Sequence, residues 1–281
     1  MNKKTIDDLD VRGQRVLVRL DLNVPLDDGR ITDDRRIRAA LPTVKKLVAG
    51  GGRVICMSHL GRPKGDPDSD ARLTLAPIGR RLGELLGKPV QFAGVSAGRQ
   101  IEQMVHQLQD GEVLLLENLR FNPAETIKDK QAADNPGLRA AKDDFARGYA
   151  GLADAYVNDA FGTCHRDNAS MLTVPQMMAG KPRVVGYLVQ KEIDFLGNAL
   201  AHPARPFVVV LGGAKVSDKI GVIENLLTRC DRLLIGGAMC YTFFAAEGKR
   251  VGKSLVEPDK FDQARHLREK AGDKLMLPVD S

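Results

Sequence analysis

The chain of 281 residues has no tryptophan, only four cysteines and no apolar stretch long enough to cross a membrane as a helix. Each shortage excludes something. Cys56, Cys164, Cys230 and Cys240 form no CxxC pair and accompany no cluster of histidines, so neither a zinc site nor a disulfide framework organises the fold. A reducing compartment, the cytoplasm, is the expected setting, because the opening residues MNKKTIDDLD carry no apolar signal core and no membrane attachment is expected. Aromatic residues are 5%, with no basic helix face, which argues against the stacking platforms of nucleic-acid binders. No GxGxxG opens a strand-helix unit, against a dinucleotide-binding domain. GKRVGKS (248–254) resembles a phosphate loop, but it has three residues between its glycines where four are needed, and no strand precedes it.

What is there is an ordinary globular balance, 43% apolar and 28% charged, long enough for one large or two ordinary domains. Lys and Arg number 42 against 36 Asp and Glu, and the net charge of +6 suits an anionic partner. Charge alone leaves nucleic acid, membrane surface and phosphorylated metabolite open. Short apolar runs alternate with segments of helical period: VLVRLDL (16–22), RVICMSH (53–59), PVQFAG (89–94), EVLLLENLRF (112–121) and DAYVNDAF (154–161). That alternation predicts βαβ units and a parallel sheet covered on both faces. Thr32 and Asp33 are expected to cap the first long helix and Gly50 to stop it; Thr74 is expected to cap the next and Gly87 to close it. After YLVQKEIDFLGNALA, read as a long connecting helix, a second series begins with PFVVVLGG (206–213), a helix over 217–228 and RLLIGGA (232–238). KLMLPVDS reads as a strand at the very end of the chain, so the second domain is expected to be incomplete.

Parallel sheets bind ligands at the carboxyl ends of their strands, and the polar residues gather there. In VLVRLDLNVP, Leu17, Arg19, Asp21 and Asn23 share one face. Taken alone this reads as a half-exposed edge strand. Yet Ser58, His59 and Arg62, then Glu117, Asn118 and Arg120, then Asn158, Asp159, His165 and Arg166 fall at the corresponding ends of other strands. A rim carrying Arg36, Arg62, Arg120, Arg166, His59 and His165 suits a small ligand bearing carboxylate and phosphate, because guanidinium binds such groups through paired donors. In the second series, Gly212 and Gly213 end a strand and Lys215 and Lys219 follow at a helix start, where an anion is favoured. LLIGGAM repeats the device one unit later.

LVRLDLNVP, ITDDRRIRAALPT, MSHLGRPKG, LLLENLRF, YVNDAFGTCHR, LGGAKVSDKIG and LLIGGAMCYTF, in this order, resemble the successive signatures of the phosphoglycerate kinase family over nearly all of the chain. The resemblance implies an α/β architecture of two doubly wound, Rossmann-like parallel-sheet domains joined by a long helix and a hinge. Residues 1–183 would form a 3-phosphoglycerate-binding domain, 184–201 the interdomain helix, and 202–281 part of a nucleotide-binding domain. By motif, Asp21 and Asn23 would meet the glycerate hydroxyl and carboxylate region, and His59, Arg62, Arg120 and Arg166 the charged ends. Arg36, with Lys215, would stabilise the phosphoryl group in flight; Lys215 and Lys219 would hold phosphates, and Gly213, Gly236 and Gly237 would line the nucleotide pocket. The implied activity is the glycolytic phosphoryl transfer between 1,3-bisphosphoglycerate and Mg-ADP, by a monomer that binds no nucleic acid. No residue of this sequence is assigned to the Mg2+ ion, whose ligand, with a glycine-rich phosphate loop, is expected beyond Ser281. Two alternatives to turnover by this chain are a non-catalytic phosphoglycerate-binding fragment and, from another class, a basic nucleic-acid-binding protein.

Overall fold

A computed structural model describes residues 3–280. The chain forms two compact units, one up to Asp194 and one from Phe195 onward. In the first, β1 (Arg15–Leu20) leads into a small hairpin of β2 (Leu26–Asp27) and β3 (Arg30–Ile31), then α1 (Arg35–Ala49) and β4 (Arg53–Met57). Next come α2 (Pro67–Asp70), α3 (Ala76–Leu86), β5 (Gln91–Phe92), α4 (Arg99–Gln107) and β6 (Val113–Leu115). The unit continues through α5 (Asp129–Ala133), α6 (Pro136–Leu152), β7 (Ala155–Asp159), α7 (Val174–Met177) and β8 (Arg183–Val185) into α8 (Tyr187–Ala201), within which the boundary between the units falls.

The six long-range strands make one parallel sheet in the order β5-β6-β4-β1-β7-β8. β1 is central, so the edge-strand reading of VLVRLDLNVP is replaced by a buried one. Its period of two still holds: Val16, Val18 and Leu20 pack with α1 and α3 through Ile37, Val44, Ile78 and Leu82, while Leu17 packs on the opposite side with Ile101, Val105, Phe145 and Val174. Right-handed crossovers leaving β1 in one direction and returning in the other put helices on both faces, and the sheet's switch point lies at β1.

The second unit contains β9 (Val208–Gly212), α9 (Ile220–Leu227), β10 (Arg232–Gly236), α10 (Met239–Ala246), α11 (Phe261–Ala271) and β11 (Leu275–Met276). Its sheet, β11-β10-β9, is also parallel. These strands are added in one direction, so right-handed crossovers place the three helices on one face. There Leu233, Ile235 and Leu275 meet Ile223, Phe243 and Leu267. On the other face Val210 is 74% and Met276 47% exposed, unlike the two-sided cover of the first sheet.

Asp33 and Thr74 answer helix-start N–H groups as expected, Thr74 Oγ1 accepting the Ala76 N–H at 3.2 Å, whereas the Thr32 hydroxyl turns to the Pro25 carbonyl. The residue before α1 is Asp34, and its carboxylate makes no cap because it is drawn to Arg38 at 2.9 Å and Arg81 at 2.8 Å; Asp33 instead accepts the Arg35 N–H at 2.9 Å. At α3 the Leu75 N–H donates to Glu117 at 2.8 Å and the Thr74 hydroxyl to the same carboxylate at 2.6 Å, so an acid from another strand end answers the helix start. Gly50 and the left-handed Gly87 end their helices as expected. The long α8 starts on Asp159, which accepts from Leu188 N–H at 2.8 Å and Val189 N–H at 3.3 Å. Gly186 makes room for that carboxylate: a Cβ there would lie 2.4 Å from Asp159 Oδ1. Gly186→Ala is therefore expected to lower stability by about 1–3 kcal/mol, the usual cost of overpacking, read as a lower urea midpoint with an unchanged slope.

Candidate active site

The carboxyl rim of the first sheet begins where β1 stops. Ser58, just past β4, donates to the Leu20 carbonyl at 2.9 Å and accepts the Leu22 N–H at 3.0 Å, so it ties the two strand ends together. Asn23 accepts the Gly61 N–H at 2.9 Å, and Arg120 donates to the Gly61 carbonyl at 2.7 Å. Asn118, fully buried, accepts from the N–H groups of Leu60 and Arg120 and donates to the carbonyls of Leu60 and Leu73. This amide spends every bond it can make on holding the loop after β4 against the turn that carries Arg120. Asn118 and Glu117 are thus scaffolding for the rim. Asn158 has the same task, accepting the Ala160 N–H at 3.0 Å.

The structure brings Asp21, Asn23, Arg36, His59, Arg62, Arg120 and Arg166 to this one rim. Arg36, in the first turn of α1, is paired with Asp21. Arg62, Arg120 and Arg166 line an open pocket of about 220 Å³ together with Lys128 and Asn168. Three buried polar atoms on these residues have no partner: Asp21 Oδ1, Arg120 Nε and Arg166 Nε. Unanswered buried donors and acceptors are uncommon in folded proteins and mark places where a ligand or water completes the set. Burial, then the charges of Arg166, Arg19 and Arg62, pull the Arg120 guanidinium below its ordinary pKa. Burial and four arginines, Arg19 first, hold His59 far below its usual range, down to about 2. An anion entering here would relieve that repulsion. His165 is exposed.

Two participants carried little signal. Arg19 is 1% exposed and lies beneath the rim, donating to Ser170 Oγ and the Leu20 carbonyl and facing His59 Nδ1 at 3.0 Å. Its alternation in phase with Asp21 was visible, but not its burial. Glu125, fully buried in the turn Pro123–Thr126, accepts from the Ser170 hydroxyl at 2.7 Å and the Ser170 N–H at 2.9 Å. Nothing in the FNPAET segment distinguishes it from a surface acid.

In the second unit, Gly212 pairs with Gly236 in register at the ends of β9 and β10. Gly237 adopts φ +69°, and a Cβ there would lie 2.9 Å from the Gly213 carbonyl oxygen, so the two glycine turns touch backbone to backbone. Lys215 is exposed and Lys219 half-buried, and α9 starts at Ile220, later than expected. The N–H groups of Val216 and Ser217 are already taken by the Glu257 carboxylate at 2.6 and 3.0 Å, and the Ser217 hydroxyl donates to it at 2.6 Å. These groups are therefore not free to meet an anion.

A family model described as phosphoglycerate kinase matches residues 6–281. The chain belongs to the phosphoglycerate kinase family. The phosphoglycerate kinase of Rhodopirellula baltica is 57% identical over 282 residues, covering all of this chain and 68% of the relative. That of Lactobacillus delbrueckii subsp. bulgaricus is 52% identical over 286 residues, with the same coverage. Two solved phosphoglycerate kinases share the fold: the Coxiella burnetii protein with TM-score 0.75 and 36% identity, and the Pyrococcus horikoshii protein with TM-score 0.79 and 32% identity. This chain covers 66% of the former and 67% of the latter, so it spans about two thirds of the length of these family members. Among the described residues, no helix is long and apolar enough to cross a membrane.

Glu257 supplies a pH test of the nucleotide-side loop. The Ser217 hydroxyl and the two backbone N–H groups lower its pKa from the ordinary 4.5. A depressed carboxylate contributes stability that is complete above the ordinary value and is lost as pH falls through the lower folded one. Denaturation followed from about pH 6 down to about pH 3 is expected to fall less steeply in Glu257→Gln than in the wild type. Equal slopes would remove Glu257 from this role.

Proposed function

We propose that the protein transfers a phosphoryl group reversibly between 1,3-bisphosphoglycerate and ADP, giving 3-phosphoglycerate and ATP. The observation that carries this reading is the pocket of Arg62, Arg120 and Arg166 with the unanswered Arg120 Nε and Arg166 Nε beside it. It is a concentration of cations for a ligand with a carboxylate at one end and a phosphate at the other. The phosphoryl acceptor is an already ionised oxygen in either direction, the ADP phosphate or the 3-phosphoglycerate carboxylate, so the reaction needs no general base. Catalysis can rest on cations that position the groups and neutralise charge in the transition state. His59, held neutral, fits a hydrogen-bond donor and not a proton shuttle.

In this reading Asp21 and Asn23 take the glycerate hydroxyl and carboxylate side, and Arg62, Arg120, Arg166 and His59 the charged ends. Arg36 and Lys215 neutralise the phosphoryl group in transit. Gly213, Gly236, Gly237 and Lys219 receive the nucleotide. Mg2+ enters with the nucleotide substrate, carried by its phosphates. The substrates are small molecules, the working form is a monomer, and the setting is the cytoplasm.

Two measurements test this. Arg62→Ala and Arg166→Ala should each weaken 3-phosphoglycerate binding by about 1.5–3 kcal/mol, the worth of a charge-assisted hydrogen bond; unchanged calorimetric affinity in both would remove them from the site. In the native enzyme, Arg36→Ala should reduce kcat far more than it raises KM, because its charge acts mainly in the transition state. Arg35, whose side chain is 88% exposed and reaches only Asp33, should be nearly silent when changed to Ala. The reverse pattern would move the catalytic role to Arg35.

A further inference from the structure

We propose that Glu125 is a positioning residue: through Ser170 and Arg19 it holds His59 as the neutral tautomer whose only proton is on Nε2, ready to donate to the bound ligand. This rests on the reading of the rim as the phosphoglycerate site. The argument is one of hydrogen-bond direction. A guanidinium has donors and no acceptor, so Arg19 Nη2 at 3.0 Å from His59 Nδ1 leaves that nitrogen only the acceptor's part. Nδ1 therefore carries no proton, and in a neutral ring the proton sits on Nε2. No hydrogen bond from Nε2 to the protein is formed among the described residues, which leaves it for a ligand oxygen.

Arg19 is held in that orientation from the far side. Its Nε donates to Ser170 Oγ at 3.0 Å, and its Nη1 to the Leu20 carbonyl. Having accepted from Arg19, the Ser170 hydroxyl turns its own proton to Glu125 Oε1 at 2.7 Å, while Oε2 takes the Ser170 N–H at 2.9 Å. The directions part at Arg19, which donates to Ser170 on the Glu125 side and to His59 Nδ1 on the other, so Glu125 acts on the ring by fixing where the guanidinium points. Asn168 fixes the Glu125 backbone by donating to its carbonyl at 3.1 Å. Burial raises the Glu125 pKa, and the Arg19 charge, the Ser170 bonds and the Arg120 charge oppose that rise. The charged groups acting on His59 are Arg19 on β1, Arg120 after β6, Arg166 after β7 and Arg36 on α1, all cations, so its ring stays neutral at physiological pH. His59 then gives the ligand one hydrogen bond without exchanging a proton, and this contribution is independent of pH.

The test reads the ring nitrogens of the ligand-free protein by 15N NMR, with the His59 signals identified by their loss in His59→Gln. The expected wild-type pattern is an unprotonated Nδ1 and a protonated Nε2, unchanged between about pH 5 and 8, the window in which an ordinary histidine titrates. In Glu125→Gln and in Ser170→Ala the two tautomers should mix, and calorimetry should show 3-phosphoglycerate binding weakened by the fraction of the donating tautomer lost, about twofold when half remains. A purely structural role for Glu125 would leave the tautomer unchanged. The proposal is overturned if wild-type His59 titrates in that window, if its proton lies on Nδ1, or if both variants keep the wild-type pattern. Should Glu125→Gln fail to fold, the wild-type spectrum and Ser170→Ala still decide the matter. A wild type with the expected pattern but no affinity for 3-phosphoglycerate would uphold the hydrogen-bond chain and overturn the choice of ligand.

Discussion

A guanidinium sealed inside a parallel sheet must have its donors answered, and Arg19 imposes that demand on everything around it. Leaving such an ion unpaired in a protein interior costs several kcal/mol. Its partners come from the end of its own strand, from the second residue after β4 and from the segment that carries Ser170, and a buried carboxylate stands behind the last of these. The first sheet's rim is therefore assembled over a base whose donors are already answered. Arg62, Arg120 and Arg166 can then gather above it with repulsion left over for an anion to relieve.

In the proposed reading the two units would meet an anion by different means. The first uses side-chain cations converging from four strand ends around a central β1, where the strand order reverses and the rim opens. The second uses backbone: paired glycines at the ends of β9 and β10, with two lysines on the following loop. A small ligand with two charged ends is gripped by directional guanidinium forks, whereas a longer polyphosphate is better met by a surface of bare peptide groups and mobile ammonium charges.

Much of this was legible in the chain. The strict alternation of VLVRLDLNVP already separated Val16, Val18 and Leu20 from Leu17 and Arg19, and the two cores divide along that line. What alternation could not show was that β1 is central, because burial on both sides depends on strands far away in sequence. EVLLLENLRF read as one run, but β6 stops at Leu115 and Asn118 starts a short turn over Leu119–Phe121, a polar side chain competing locally with the ladder. Likewise Asp159 and Glu117 read as rim residues, yet Asp159 Oδ1 and the Glu117 carboxylate go to helix starts. Glu125 and Glu257 had no local signature at all: each acts on a segment 40 or more residues away, at Ser170 and at Ser217.

The contact between Gly237 and Gly213 bears on mechanics as well as on shape. The Gly213 carbonyl also receives the Met239 N–H at 2.9 Å, so peptide groups of the two turns are in direct touch with no side chain between them to yield. A joint of that kind is stiff in compression and cannot serve as a pivot. Any motion that opens or closes this rim must carry both turns together as one part, with the bending taken up elsewhere along the chain.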